Sequence, residues 1–175
     1  SFALLEKNIK ANGFNNVVFT NKAVADSSSR MLFFDRGPHS SFAYDRFHDA
    51  RGHMMVDSAT IDDVLSQQRE KAVDFIKIDA EGSEWKILRG MKATLANNPN
   101  VKLLVEFAPA LLRMSGGDPE KFLQQLDETG FDFYDVGRGV NSDPRISIRE
   151  LLRKYDRDQD GKKIFTTNLF CKRRQ

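Results

Sequence analysis

One cysteine in 175 residues rules out an internal disulfide framework and suits a reducing, cytoplasmic compartment. No apolar run is long enough to span a bilayer. Glu6, Lys7 and Lys10 break up the first residues before they can read as a signal peptide. An excess of one charge is missing too. With 27 Lys and Arg against 25 Asp and Glu, the formal net charge is +2, which gives no electrostatic case for nucleic acid or a membrane as the main partner. The basic tail Cys171-Lys172-Arg173-Arg174-Gln175 reads as the end of a strand in solvent. The 11 glycines never gather into a GxGxxG-like run, so no phosphate-cradling loop supports a generic nucleotide-using enzyme. There is no internal repeat and no low-complexity tract. A chain that is 40% hydrophobic and 30% charged can bury one core and hardly two, so residues 1–175 are expected to form a single domain.

The most informative stretch runs from Val73 to Trp85. Val73, Phe75, Ile76 and Ile78 predict a central parallel strand covered on both sides by helices. It ends in Asp79, Glu81 and Glu84 and turns straight into a helix that carries Ile87, Leu88, Met91 and Leu95. Ligands of open α/β sheets bind outside the carboxyl ends of the strands, where Asp79 and Glu81 project. Acids at a first helical turn also simply complement the helix dipole, and that suffices for Glu84. It does not account for Lys77, since a lysine on a buried strand needs a partner. Glu106, in the adjacent strand Val101 to Phe107, offers a structural Lys77–Glu106 pair. A functional acid cluster is the preferred reading.

The segment Asp74-Phe75-Ile76-Lys77-Ile78-Asp79-Ala80-Glu81-Gly82-Ser83-Glu84, followed by Leu88-Arg89-Gly90, resembles the signature of FkbM-type S-adenosylmethionine-dependent methyltransferases. Asn8-Ile9-Lys10-Ala11-Asn12-Gly13, Asn21-Lys22-Ala23-Val24-Ala25-Asp26, Thr60-Ile61-Asp62-Asp63-Val64-Leu65 and Asn168-Leu169-Phe170 resemble other pieces of that family in the same order. The resemblance implies a Rossmann-like class I methyltransferase sheet with helices on both faces and an antiparallel C-terminal strand pair. The first two family strands and their glycine-rich turn have no counterpart here. Cofactor binding is implied for Asn21, Lys22, Ala23, Asp26 and Asp79; the bland reading of residues 21–26 is a strand-ending turn. The implied activity is O-methylation of a sugar or polyketide-type hydroxyl on a small molecule.

The order of elements reads helix, strand, irregular region, short helix, then strands and helices in alternation, an α/β pattern. Phe2, Leu5 and Ile9 recur at helical spacing up to Asn12-Gly13. Strands are expected at 16–20 and 30–34, and an antiparallel pair at 131–136 and 165–171. Thr60 with Asp63, and Asp118 with Pro119, are helix starts; Gly130 ends the second of these helices. An irregular loop is expected at about 35–56. It holds His39, His48 and His53, whose spacing is poor for zinc, and it reads as a loop over the crevice or as solvated surface. Asp156-Arg157-Asp158-Gln159-Asp160-Gly161 copies the start of a calcium loop, but Lys163 and Thr167 break the copy, and a polar turn is expected.

Methyl transfer from a sulfonium needs alignment above all, and an aliphatic hydroxyl acceptor profits from a base. Asp79, Glu81 and Glu106 can supply that base, with Lys77 orienting a carboxylate or steadying the alkoxide. The same acids suit Mg²⁺, but a metal-free site is preferred. The rival from another class is a non-catalytic α/β interaction or scaffold domain that keeps its acids as helix starts.

Overall fold

The computed structural model describes residues 2–35, 52–68, 71–136, 145–156 and 163–174. Helix α1 (Phe2–Ala11) is followed by strands β1 (Ala23–Val24), β2 (Arg30–Asp35) and β3 (Gly52–Ala59) and by helix α2 (Ile61–Ser66). Then come β4 (Phe75–Ile78), α3 (Glu84–Arg89), α4 (Lys92–Asn97), β5 (Lys102–Phe107) and α5 (Pro109–Met114). Helix α6 (Pro119–Glu128), β6 (Phe131–Asp135), α7 (Ile148–Tyr155) and β7 (Thr167–Arg173) complete the chain. The strands form two sheets in a mixed α/β fold, with orders β1-β3-β2 and β4-β5-β7-β6.

The larger sheet follows the alternation of its sequence. β4 and β5 run parallel with Ile78 beside Val105, and β7 is antiparallel to both β5 and β6. The expected C-terminal antiparallel pair is therefore present. Leu103, Val105 and Phe107 of β5, Phe131 and Phe133 of β6, and Leu169 and Cys171 of β7 point to one face and are buried. There they meet Leu88, Met91, Leu112, Leu123, Leu126 and Leu151 from the helices. Each large apolar side chain so buried contributes about 1.5–3 kcal/mol. The opposite face carries Lys77, Leu104, Glu106, Tyr134 and Phe170, none of them buried. Among the described residues the core therefore lies on one face only, a departure from the expected helices on both. β4 departs as well. It is the edge strand of its sheet among the described residues, and Phe75 is 51% exposed.

Caps behave as their residue types require. Asp63 N donates to Thr60 Oγ1 at 2.9 Å, and Glu120 N and Lys121 N donate to Asp118, with Pro119 in the first turn. Ser147 and Glu150 form a reciprocal capping box on α7. Asp62 reaches across to the start of α4, accepting from Ala93 N, Thr94 N and Thr94 Oγ1.

Three more expectations need correction. Residues 16–20 form no strand: Val17 and Val18 are exposed with no neighbouring strand, and a β-propensity without a partner does not order a strand. The parallel contact is made instead by Ala23 and Val24. Asp35 and residues 52–56, expected in the irregular region, are strand, with Asp35 of β2 paired to Gly52 of β3; the rest of that expected loop lies outside the described residues. His39 and His48 lie outside the described residues, as do residues 157–162 of the calcium-like motif. The helix after Gly82 breaks at Gly90 into α3 and α4; a Cβ on Gly90 would lie 2.3 Å from the Ala25 carbonyl oxygen, so only glycine lets β1 approach there. α5 was not foreseen.

Candidate functional site

The chain leaves β4 at Ile78, passes Asp79 and Ala80, and reverses through Glu81 and Gly82 into α3. Glu81 has φ +50° and Gly82 φ +93°. A left-handed glutamate costs on the order of 1 kcal/mol and persists only where its surroundings hold it. Gly82 is required twice over, since a Cβ there would stand 2.3 Å from the carbonyl oxygen of Leu111 on α5. Glu84, 1% exposed, reaches back from the first turn of α3, and its Oε1 accepts from Ala80 N at 2.8 Å and Gly82 N at 3.3 Å. On the other side Ser115 Oγ donates toward the carbonyl of Gly82 at 2.5 Å and accepts from Trp85 Nε1 at 2.8 Å.

Lys77 does not pair with Glu106. Its Nζ lies 2.5 Å from Asp79 Oδ2, with both side chains about half exposed at 52% and 48%. On an edge strand lysine reaches solvent and the nearest carboxylate on its own face, which removes the need for a partner across the sheet. Such an exposed pair is worth about 0–1 kcal/mol, so it orients Asp79 rather than holding the fold. Glu106 gives Oε1 to the Thr166 hydroxyl at 2.8 Å, while Oε2 is buried and has no partner among the described residues. Burial raises the Glu106 carboxyl above its ordinary value. The Thr166 hydrogen bond opposes this, the charges of Asp79 and Glu81 add to it, and Lys77 lowers it. Burial likewise pushes Glu84 up to about 7 against its backbone hydrogen bonds, with Glu106 adding repulsion. Asp79, Glu81, Lys77 and Glu106 thus share one electrostatic neighbourhood at the carboxyl ends of two parallel strands.

A cleft of about 330 Å³ opens beside them. Val24, Phe33, Ile61, Ile76 and Ile87 supply its apolar wall. Lys77, Asp79 and Ser83 supply its polar side, and Ala23 also lines it. Of the residues expected near a cofactor, Ala23 and Asp79 meet in this cleft. Asn21, Lys22 and Asp26 are exposed and do not line it. Ser83 stands at the N-cap of α3 without capping it, and its buried Oγ has no partner among the described residues. No group of three or more His, Cys, Asp or Glu able to hold a metal occurs among the described residues. No described helix is long and apolar enough to cross a membrane.

Sequence reasoning passed over Glu84 as a helix starter and did not consider Ser83, Ser115 or Thr166. An acid two residues after a turn glycine can reach back to the turn's own amides, but the same spacing also suits a plain helix starter, so the sequence alone does not single out Glu84.

A family model described as the methyltransferase FkbM domain matches residues 3–133. Comparison with curated proteins and with solved structures gives no match.

Proposed function

The chain belongs to the methyltransferase FkbM family, and on that premise we propose an S-adenosylmethionine-dependent O-methyltransferase acting on a hydroxyl of a sugar or polyketide-type small molecule. The observation that carries this reading is the gathering of Asp79, Glu81 and Glu106 at the carboxyl ends of β4 and β5, beside an apolar cleft. Parallel β4 and β5, with antiparallel β7 between β5 and β6, support a Rossmann-like class I sheet within the same proposal.

The residues present fit part of the cofactor. Val24, Ile61, Ile76 and Ile87 offer a dry wall for a flat heterocycle, and the Asp79 carboxylate suits a cationic or hydroxyl-bearing end. When bound, S-adenosylmethionine supplies an electrophilic methyl group on a sulfonium, so alignment with the acceptor governs the rate. The chain's own residues do the rest. Lys77 holds the Asp79 carboxylate in place. Glu106 is fixed at Oε1 by Thr166, and its buried Oε2, which has no partner among the described residues, is the oxygen left to take the proton of an acceptor hydroxyl that reaches it. Burial raises its carboxyl pKa, which makes the carboxylate a stronger base. No metal enters this reading.

The test is transfer of labelled methyl from S-adenosylmethionine to a panel of sugar and polyketide-type alcohols. Glu106→Gln is expected to lower transfer by about 10²–10⁴-fold while leaving S-adenosylhomocysteine binding intact. No transfer by the wild-type protein, together with no S-adenosylhomocysteine binding, would overturn the proposal in favour of a non-catalytic α/β interaction domain.

A further inference from the structure

The turn at residues 79–83 is gripped from two directions by groups that the chemistry proposed above does not use. From α3, a nearly inaccessible carboxylate spends one oxygen on two backbone amides, Ala80 N and Gly82 N. From the end of α5, the Ser115 hydroxyl ties the Gly82 carbonyl to the indole of Trp85, its single proton lying between Gly82 O and the more distant Leu112 O at 2.8 Å. The bare α-carbon of Gly117 lies under that indole, where a Cβ would stand 2.6 Å from Trp85 Cδ1. Glu81 sits inside the grip, in a backbone conformation that it would not keep unaided.

We propose that Glu84 and Ser115 are positioning residues: together they clamp this turn, hold Glu81 on the left-handed side of the backbone, and so set the carboxylates of Asp79 and Glu81 against Glu106. The inference deepens the methyltransferase reading and rests on it for its catalytic consequence, though not for the clamp itself. Burying a carboxylate is costly, and the same turn could be closed by a neutral side chain. The structure keeps Glu84 there with Glu106 as its facing charged group from β5. Its carboxyl, raised by burial to about 7, also gives the clamp a proton that exchanges near neutral pH. Glutamine at this position retains the accepting oxygen and removes the titration.

The clamp has two direct readouts that need no activity: hydrogen exchange at the Ala80 and Gly82 amides, and the emission of Trp85, the chain's single tryptophan. Slow exchange at both amides is expected in the wild type and in Glu84→Gln, with acceleration on the order of tenfold to a hundredfold in Glu84→Ala. Ser115→Ala is expected to shift Trp85 emission. In the transfer assay, Glu84→Ala and Ser115→Ala should lower kcat by up to about a hundredfold with little change in acceptor KM, as expected for misplaced catalytic groups. Glu84→Gln should restore most of kcat and lose any inflection near pH 7. Folded Glu84→Ala and Ser115→Ala proteins with wild-type kcat would overturn the positioning role. Wild-type amides that exchange as fast as those of Glu84→Ala would overturn the clamp. Protected amides in a protein without methyl transfer would leave the clamp standing and remove the catalytic reading instead. If Glu84→Ala fails to fold, Ser115→Ala together with the pH profile of Glu84→Gln decides.

Discussion

Replacing Gly82 with alanine asks more of the fold than its single methyl group suggests. The residue has φ +93°, where an L side chain costs about 1–2 kcal/mol. The new Cβ would also stand 2.3 Å from the Leu111 carbonyl oxygen, a backbone atom of α5 that can move only with its helix. Overpacking of that kind adds about 1–3 kcal/mol, and the lower entropy of the unfolded alanine chain returns about 0.4–1 kcal/mol. The net expectation is a loss of about 2–4 kcal/mol, or a fall in Tm of roughly 4–16 °C for a chain of this length. Gly116 provides the internal control. Its φ is +86°, but nothing lies within 4 Å of a Cβ built there, so only the backbone cost applies and Gly116→Ala should lose about 1 kcal/mol. Calorimetric melting of both variants beside the wild type separates the two contributions. Equal Tm values for the Gly82 and Gly116 variants would refute the close approach of α5 to the turn.

Glu84 gives the second prediction: its folded pKa of about 7 lies above its usual 4.5, so the folded state binds more protons between these values and stability falls as pH rises through that window. The loss is about 3 kcal/mol in all, complete above pH 7, and denaturant titrations of Glu84→Gln should lack that slope. Asp62→Ala removes three hydrogen bonds to the start of α4 and leaves the Thr94 hydroxyl, 5% exposed, without that acceptor. A loss of about 2 kcal/mol is expected by chemical denaturation, and one below 0.5 kcal/mol would show that the tie is ornamental. Cys171 is fully buried in β7, and burial pushes its thiol up to about 12. Mass spectrometry after iodoacetamide treatment should therefore find it unmodified in the native protein and alkylated once unfolded.

Sequence periodicity served best where the side chains themselves decide the outcome. The alternation in Lys102 to Phe107 and Phe131 to Asp135 fixed which residues face the core, and Thr60, Asp118 and Gly130 mark helix ends because their own atoms do the capping. It failed where the outcome depends on what lies alongside. Val17 and Val18 look like strand residues but have no strand beside them. Phe75 and Lys77 look buried on a central strand, yet β4 is an edge among the described residues, and so Lys77 took Asp79 rather than Glu106. Gly90 broke a helix because Ala25, 65 positions away, needed the space. Asp79 and Glu81 stand just beyond β4, where the sequence put them, and Glu106, inside β5, is near enough to share their field. Glu84 was not legible in this way, because burial in the completed turn is what turns a helix starter into a clamp.

The proposed methyl donor would sit in the largely apolar cleft beside Asp79, and calorimetric titration of S-adenosylhomocysteine into the protein and its Asp79→Asn variant tests this most directly. Saturable binding by the wild type that weakens about tenfold or more in Asp79→Asn is the predicted result. Equal affinity in both proteins, or none in either, would contradict it.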